Sequence, residues 1–299
     1  MATAEQTPQP RLPEWLRRSE MNWVALHELK SDLRRHGLHT VCESARCPNI
    51  HECFGRGSAT FMILGNECTR SCGFCSVPRG RGQPLDPDEP ENVARMAEQL
   101  GLRYVVITSV NRDEMSDGGA AHWAATVRAV RRRLPAARVE VLTPDFCGNR
   151  DALRTVADAR PDVFNHNLET IPRLYRHVRP QAVYRQSLDV LAALKTEFPA
   201  LITKSGLMVG LGEMEAEVGQ VLRDLHEVRC VVVTIGQYLQ PTRRNLPVVR
   251  YVEPAEFDRY RDYGMTLGFR NVFSGPLVRS SYMADVVSLE PQINTDEHR

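Results

Sequence analysis

An α/β fold built on a parallel sheet is predicted for this 299-residue chain by three observations. Apolar, β-rich runs alternate with helical patterns along most of the sequence, as successive βα units do. Several runs, YVVITSV and VVVTIG among them, are apolar almost without interruption, which fits strands buried on both faces of a sheet. Polar residues gather where the runs end, which is where parallel α/β sheets bind their ligands.

Taken in order, residues 1–21 are polar and proline-rich, and are predicted to be a flexible tail. Over 21–36 the apolar residues Trp23, Leu26, Leu29 and Leu33 recur at three- and four-residue spacing, an amphipathic helix closed by Gly37. Residues 38–58 have no periodicity, and cysteines stand in for a hydrophobic reason to fold. Strands are predicted at 59–64, 104–110, 138–143, 163–168, 202–211 and 231–239. Helices are predicted at 89–100, 119–134, 149–159, 183–197, 214–229 and 254–268. The polar stretches are TSVNRDE after the second strand, TPDF after the third, NHNLE at the end of the fourth, VGLGE after the fifth and QYLQPT after the sixth. The sheet closes either as an open doubly wound sheet or as a curved, partial (β/α) barrel, and in both cases this rim is the predicted active site. Gly118-Gly119 and Gly210-x-Gly212 lack a full phosphate-loop fingerprint and read as tight turns.

Composition excludes several classes. Hydrophobic residues at 42% and charged residues at 25% argue against a disordered or fibrous chain. No apolar run approaches the roughly 20 residues of a membrane helix. The N-terminus has no apolar core of a secretory signal, so a cytoplasmic protein is expected. A formal charge of +1 gives no global field for a nucleic acid or a membrane, and neither is expected as a partner.

In a reducing compartment, clustered cysteines point to metal rather than to disulfides. Six of the 8 cysteines fall between positions 42 and 75. Cys68, Cys72 and Cys75 form C-x3-C-x2-C just after the first strand. Three thiolates on one loop can hold three corners of a [4Fe–4S] cube and leave the fourth iron open to an external ligand. A zinc knuckle would favour paired C-x2-C units, and only one such step is present. Cys42, Cys47 and Cys53 form C-x4-C-x5-C upstream, where a second iron–sulfur cluster is the better account. The competing account is zinc on these three and His51. Cys147 and Cys230 stand alone, in or next to core strands, and read as buried structural residues.

C-x3-C-x2-C with Phe74 before its last cysteine resembles the radical S-adenosylmethionine (SAM) superfamily. The resemblance implies a partial (β/α)6 barrel at about 59–270, with an N-terminal cluster-binding extension (22–58) and a C-terminal segment (271–299) closing over the site. It also implies that SAM chelates the open iron and is cleaved to a 5′-deoxyadenosyl radical. With C-x4-C-x5-C upstream, the chain is similar to the lipoyl synthase family within that superfamily. TSVNRDEMSDGGA, VFNHNLET, KSGLMVGLGE, GQYLQPT and GPLVRSSY fit too, so the likeness spans about 38–285. Ser44 and Met115 are departures, and neither is a ligand position.

For that family the resemblance implies two [4Fe–4S] clusters, radical removal of hydrogen at two unactivated carbons, and two SAM molecules per product. The auxiliary cluster, on Cys42, Cys47 and Cys53, would donate the sulfur. Its fourth ligand would be a serine of Arg279-Ser280-Ser281-Tyr282, carried to Ser281 with Ser280 in reserve. Implied SAM contacts are Ser109 and Asp113 after the second strand, and Asn165, Asn167 and Glu169, which alternate along the fourth and so share a face. Lys204 pairs with a carboxylate, either the cofactor's or one in a rim salt bridge. Implied partners are octanoylated lipoyl carrier domains (2-oxo-acid dehydrogenase E2 subunits and the glycine-cleavage H protein), an electron donor such as ferredoxin or flavodoxin, and an iron–sulfur cluster carrier. Two other readings compete: a radical SAM methylthiotransferase, and a two-cluster electron carrier without catalysis. The first usually appends an RNA-binding domain, and nothing beyond residue 285 is expected to form one. The second would need a fourth thiolate at each triad.

Overall fold

The computed structural model describes residues 11–16, the strand His39–Thr40 and residues 58–281. The predicted helix at 21–36 and the cysteines Cys42, Cys47 and Cys53 lie outside the described residues. Among the described residues eight strands form one sheet in strict chain order. β1 (His39–Thr40) runs antiparallel to β2 (Ser58–Ile63). Then β2, β3 (Tyr104–Ser109), β4 (Arg138–Leu142), β5 (Val163–Asn165), β6 (Ile202–Val209), β7 (Val232–Gln237) and β8 (Asn271–Gly275) are all parallel neighbours. A doubly wound sheet reverses its strand order partway across; this one never does. Of the two closures, the curved partial barrel is the one formed.

The helices that return the chain are α1 (Glu89–Gln99), α2 (Ala120–Arg133), α3 (Arg150–Ala157), α4 (Tyr175–Val178), α5 (Tyr184–Glu197), α6 (Glu215–Glu227) and α7 (Pro254–Leu267). Their ends follow local chemistry. Pro254 starts α7 where a missing N–H costs nothing, and Gly268 stops it with φ +99°. The Asn149 side chain caps α3 by accepting from the amides of Asp151 and Ala152.

The strands divide their residues with period two. Outward from β2 to β5 point Phe61, Ile63, Val105, Ile107, Val139, Val141 and Phe164, packed on Val93, Trp123, Val127 and Val156 of α1 to α3. The other half repeats the arrangement with Leu207, Val209, Val233 and Ile235 against Val221, Leu222 and Leu225 of α6 and Phe257 of α7. Burial of these side chains, at roughly 25 cal/mol per Å2, is the main force closing the sheet. The inward face mixes apolar residues such as Val106, Val163 and Val232 with a polar or small set: Thr108, Glu140, Asn165, Lys204, Gly206 and Thr234.

Two differences from the predicted elements have local causes. β5 stops at Asn165, three residues early, because the carbonyls of Asn167 and Leu168 turn to accept from Arg179 and Glu169 adopts φ +65°. β8 adds a parallel strand inside the stretch assigned to a C-terminal segment; NVFSG is too short and too polar to announce itself. No helix of the described residues is long and apolar enough to cross a membrane.

Candidate active site

At the C-terminal ends of the strands lies a cavity of about 800 Å3. The loop after β2 forms one wall and brings Cys68, Cys72 and Cys75 to it. This loop has no regular structure, so each of its bonds to a neighbour matters. Cys68 N donates to Pro78 O at 2.9 Å, Thr69 N to Asn111 O at 3.1 Å and Gly73 N to Val178 O at 2.8 Å. From the β7 side, Leu246 N donates to Gly73 O at 2.9 Å, and Asn245 Nδ2 to Cys75 O at 2.8 Å. The loop is therefore held from the ends of three other strands.

Arg70, inside the cysteine motif, ties it to a fourth. Its Nε and Nη2 donate to Asp113 at 2.7 and 3.0 Å, and its Nη1 and Nη2 to Asp145 at 3.0 and 2.6 Å. Asp145 is fully buried after β4, and the guanidinium holds its carboxyl down at about 2 despite that burial. Arg70 also donates to Cys147 Sγ at 3.4 Å.

The remaining wall is polar and incompletely satisfied. His166 Nδ1 lies 2.9 Å from Thr143 O, so it carries the proton and Nε2 keeps its lone pair. Burial first, and then the nearby Arg179, lowers the His166 pKa to about 4, so the ring is neutral at physiological pH. Asn167 Nδ2 donates to Glu169 Oε1 at 2.9 Å and to Ser280 Oγ at 2.6 Å. Arg179 Nη1 donates to the carbonyls of Asn167 and Leu168 and to Tyr175 Oη. Desolvation raises the Glu169 carboxyl, against the pull of Arg179. Buried atoms without a partner include His166 Nε2, Asn167 Oδ1, Arg179 Nε, Thr143 Oγ1 and Asn111 Oδ1, all on residues lining this cavity. Orphaned donors and acceptors of both kinds on one cavity wall suit a ligand with amino, carboxylate, ribose and adenine groups.

The thiols also suit their group. Burial pushes Cys75 up to about 11 and raises Cys72, so iron arriving at the loop displaces protons. Among the described residues no three His, Cys, Asp or Glu side chains converge tightly enough for one metal ion. The three cysteines line one cavity wall together, and their C-x3-C-x2-C spacing suits three corners of a cluster.

Of the sequence-predicted residues, Cys68, Cys72, Cys75, Ser109, Asn167 and Glu169 line the cavity together. The Ser109 hydroxyl donates to Val110 O at 2.8 Å. Asp113 is engaged by Arg70 and lines a separate recess. Asn165 and Lys204 lie deeper. Lys204 Nζ donates to both oxygens of Glu140 at 3.0 and 3.1 Å, Asn165 Nδ2 to Glu140 at 2.9 Å and Tyr104 Oη to Glu140 at 2.9 Å. This cluster is wholly buried in the barrel floor, so the carboxylate that Lys204 meets is Glu140. Asn165, Asn167 and Glu169 do share the inward side, at two depths. Ser280 sits on Asn167, and Ser281 follows it, half-buried. Cys230 is buried as expected. Cys147 is exposed, because Phe146, Cys147 and Gly148 turn through φ +46°, +53° and +80° and lift it off the core.

Sequence reading missed Arg70, Glu140, Arg179 and Asn245. Asp145 and His166 lay within quoted polar stretches but were not singled out. No spacing flags the others, since their partners are 64 to 172 residues away in several cases.

A model of the radical SAM superfamily matches residues 62–225, and one of the N-terminal domain of lipoyl synthase matches residues 2–47. Lipoyl synthase from Rubrobacter xylanophilus is 58% identical over 91% of this chain and 85% of its own length. That from Methylococcus capsulatus is 58% identical over 92% of this chain and 86% of its own. Among solved structures, methylornithine synthase superposes with a TM-score of 0.55 at 14% identity, covering 90% of this chain and 83% of that one. At that identity the likeness speaks for the fold alone.

Proposed function

The chain belongs to the lipoyl synthase family of the radical SAM superfamily, and from that membership we propose that it inserts two sulfur atoms, at C6 and C8, into an octanoyl group amide-linked to a carrier-protein lysine. Membership makes it a sulfur-inserting enzyme that uses SAM and a [4Fe–4S] cluster. The second cluster, on Cys42, Cys47, Cys53 and Ser281, belongs to the proposal. So do the carriers, E2 lipoyl domains and the glycine-cleavage H protein, the ferredoxin- or flavodoxin-type donor, the cluster carrier and a cytoplasmic setting. One observation carries the reading: three thiols face, across one cavity, a wall of buried polar atoms that lack partners.

The reaction must break unactivated C–H bonds, which no protein acid or base can do. When bound, the cluster supplies an electron that splits SAM into methionine and an abstracting radical, and the second cluster supplies sulfur. The chain's own residues do the rest. Cys68, Cys72 and Cys75 would hold one cluster by three of its corners. The loop's bonds to Asn111, Val178 and Leu246 fix where the three thiols stand. Asn167 Oδ1, the neutral Nε2 of His166 and Arg179 Nε stand ready to accept from, or donate to, the amino, ribose and carboxylate groups of SAM. Ser109 and Glu169 line the same wall. The inward-facing strands and the Ser280 segment enclose the reacting groups and limit side reactions of a reactive species with other C–H bonds. Asn165 and Lys204 hold the barrel floor through Glu140, and Asp113 holds the cluster loop through Arg70.

An anaerobic assay with SAM, dithionite and an octanoyl-lysine peptide, read by mass spectrometry, tests this. Dithiolated peptide is expected from reconstituted enzyme. Replacing Cys68, Cys72 and Cys75 with alanine should abolish SAM cleavage, whereas replacing Cys42, Cys47 and Cys53 should leave slow cleavage without sulfur insertion. Tightly bound zinc in place of iron in the reconstituted protein would overturn the reading.

A further inference from the structure

Three exposed arginines, Arg79, Arg243 and Arg244, stand on the cavity wall where it meets solvent. Among the described residues none of their guanidinium groups has an ion-pair or hydrogen-bond partner. Some exposed arginines elsewhere are paired, Arg132 and Arg133 with Glu91, Arg173 with Glu217 and Arg259 with Glu215. Arg128, Arg150 and Arg176 lie scattered without an ion pair among the described residues. What sets the rim apart is that three such charges gather at one mouth. The three rim charges are also firmly placed. Arg79 follows Pro78, whose carbonyl accepts from Cys68 N, and Gly80 N donates to Cys68 O. Arg243 and Arg244 precede Asn245 and Leu246, which bond to the backbone of Gly73 and Cys75. Exposed cations thus stand beside the cluster loop at two places, near Cys68 and near Gly73 and Cys75.

Nothing proposed for the cavity interior needs them. SAM carries two positive groups against one carboxylate, and the buried Arg179, with Nε free, already faces that space. The octanoyl-lysine arm is an uncharged amide. The rim charge therefore addresses what lies outside the cavity when the arm is inside it, namely the protein surface around the modified lysine. We infer that Arg79, Arg243 and Arg244 form a docking rim for an acidic carrier domain, taking carboxylates that flank the octanoyl-bearing lysine. This rests on the lipoyl synthase reading and adds the carrier's recognition to it. An acidic electron-donor protein has the same charge, but it needs only nearness to the cluster, whereas the carrier must place its lysine at this mouth.

The test uses reconstituted holoenzyme and three octanoyl-lysine peptides, with flanking Glu, Gln or Lys. Dithionite is the reductant, so no donor protein takes part. Peptide binding, read by fluorescence anisotropy, reports the rim without turnover; sulfur insertion reports the reaction. Wild type should bind the Glu-flanked peptide about tenfold more tightly than the Gln-flanked one, with the gap closing as salt is raised. R243E/R244E should invert the order and favour the Lys-flanked peptide. Equal binding of all three by wild type, or an unchanged order in the variant, overturns the rim. A changed rate of peptide-free SAM cleavage with unchanged peptide order also overturns it, since the arginines would then act on the cluster. Ordered binding with no sulfur transferred by wild type leaves the rim standing and sinks the functional reading.

Discussion

Arg70 lies between Cys68 and Cys72 in sequence and between Asp113 and Asp145 in space. Arg70→Met keeps much of its volume but leaves Asp145 charged, buried and unpaired. Urea unfolding should show a loss of about 3–5 kcal/mol, the range for breaking one side of a buried pair. His166 sets a pH dependence. Its folded pKa of about 4 lies below the unfolded value of 6.5, so the unfolded chain binds more protons between these values. Its contribution to stability is complete above the unfolded value and falls as pH drops toward the folded one. From pH 7 to 5.5 the unfolding free energy should fall by about 1 kcal/mol on this account, and His166→Gln should remove that slope. At this scale the sequence was legible only where spacing carried meaning. Cysteines three and four residues apart announce a cluster loop; one more arginine in an arginine-rich chain announces nothing.

Among the elements, the C-terminal segment after β8 is the one most exposed to a small change. A Cβ on Gly236 would meet Val278 O at 2.0 Å, and one on Gly206 would meet Ser280 Oγ at 2.9 Å. The bare backbones of β6 and β7 are the seat for this segment, which Asn167 then holds through Ser280. Gly236→Ala should unseat it, at a cost of about 1–3 kcal/mol, and limited proteolysis should cut after Gly275 at a rate that wild type does not show. Strand and helix order followed from periodicity, because each outward apolar row is a local property of its own strand. The early end of β5 did not follow, being imposed by Arg179 just past α4. Nor did β8, whose pairing with β7 makes a strand of five weakly apolar residues.

For the whole molecule, the partial barrel was legible as one of two closures, and strict strand order decides between them. If both sulfurs come from the auxiliary cluster, enzyme without outside sulfide should yield at most about one lipoyl group per chain. Protein reconstituted with labelled sulfide should pass that label to the product, and mass spectrometry finding unlabelled sulfur would exclude the scheme. The loop geometry also bears on how the molecule is made. Cys68, Cys72 and Cys75 leave the ribosome early, yet the groups that shape their loop are Asn111, Asp145, Val178 and, last, Asn245 and Leu246. Until the final quarter of the chain has been synthesised, the cradle lacks its β7 side, and iron delivered sooner would meet loose thiols. Loading of this cluster is thus an event of the finished polypeptide, and translation and metal delivery must run in that order.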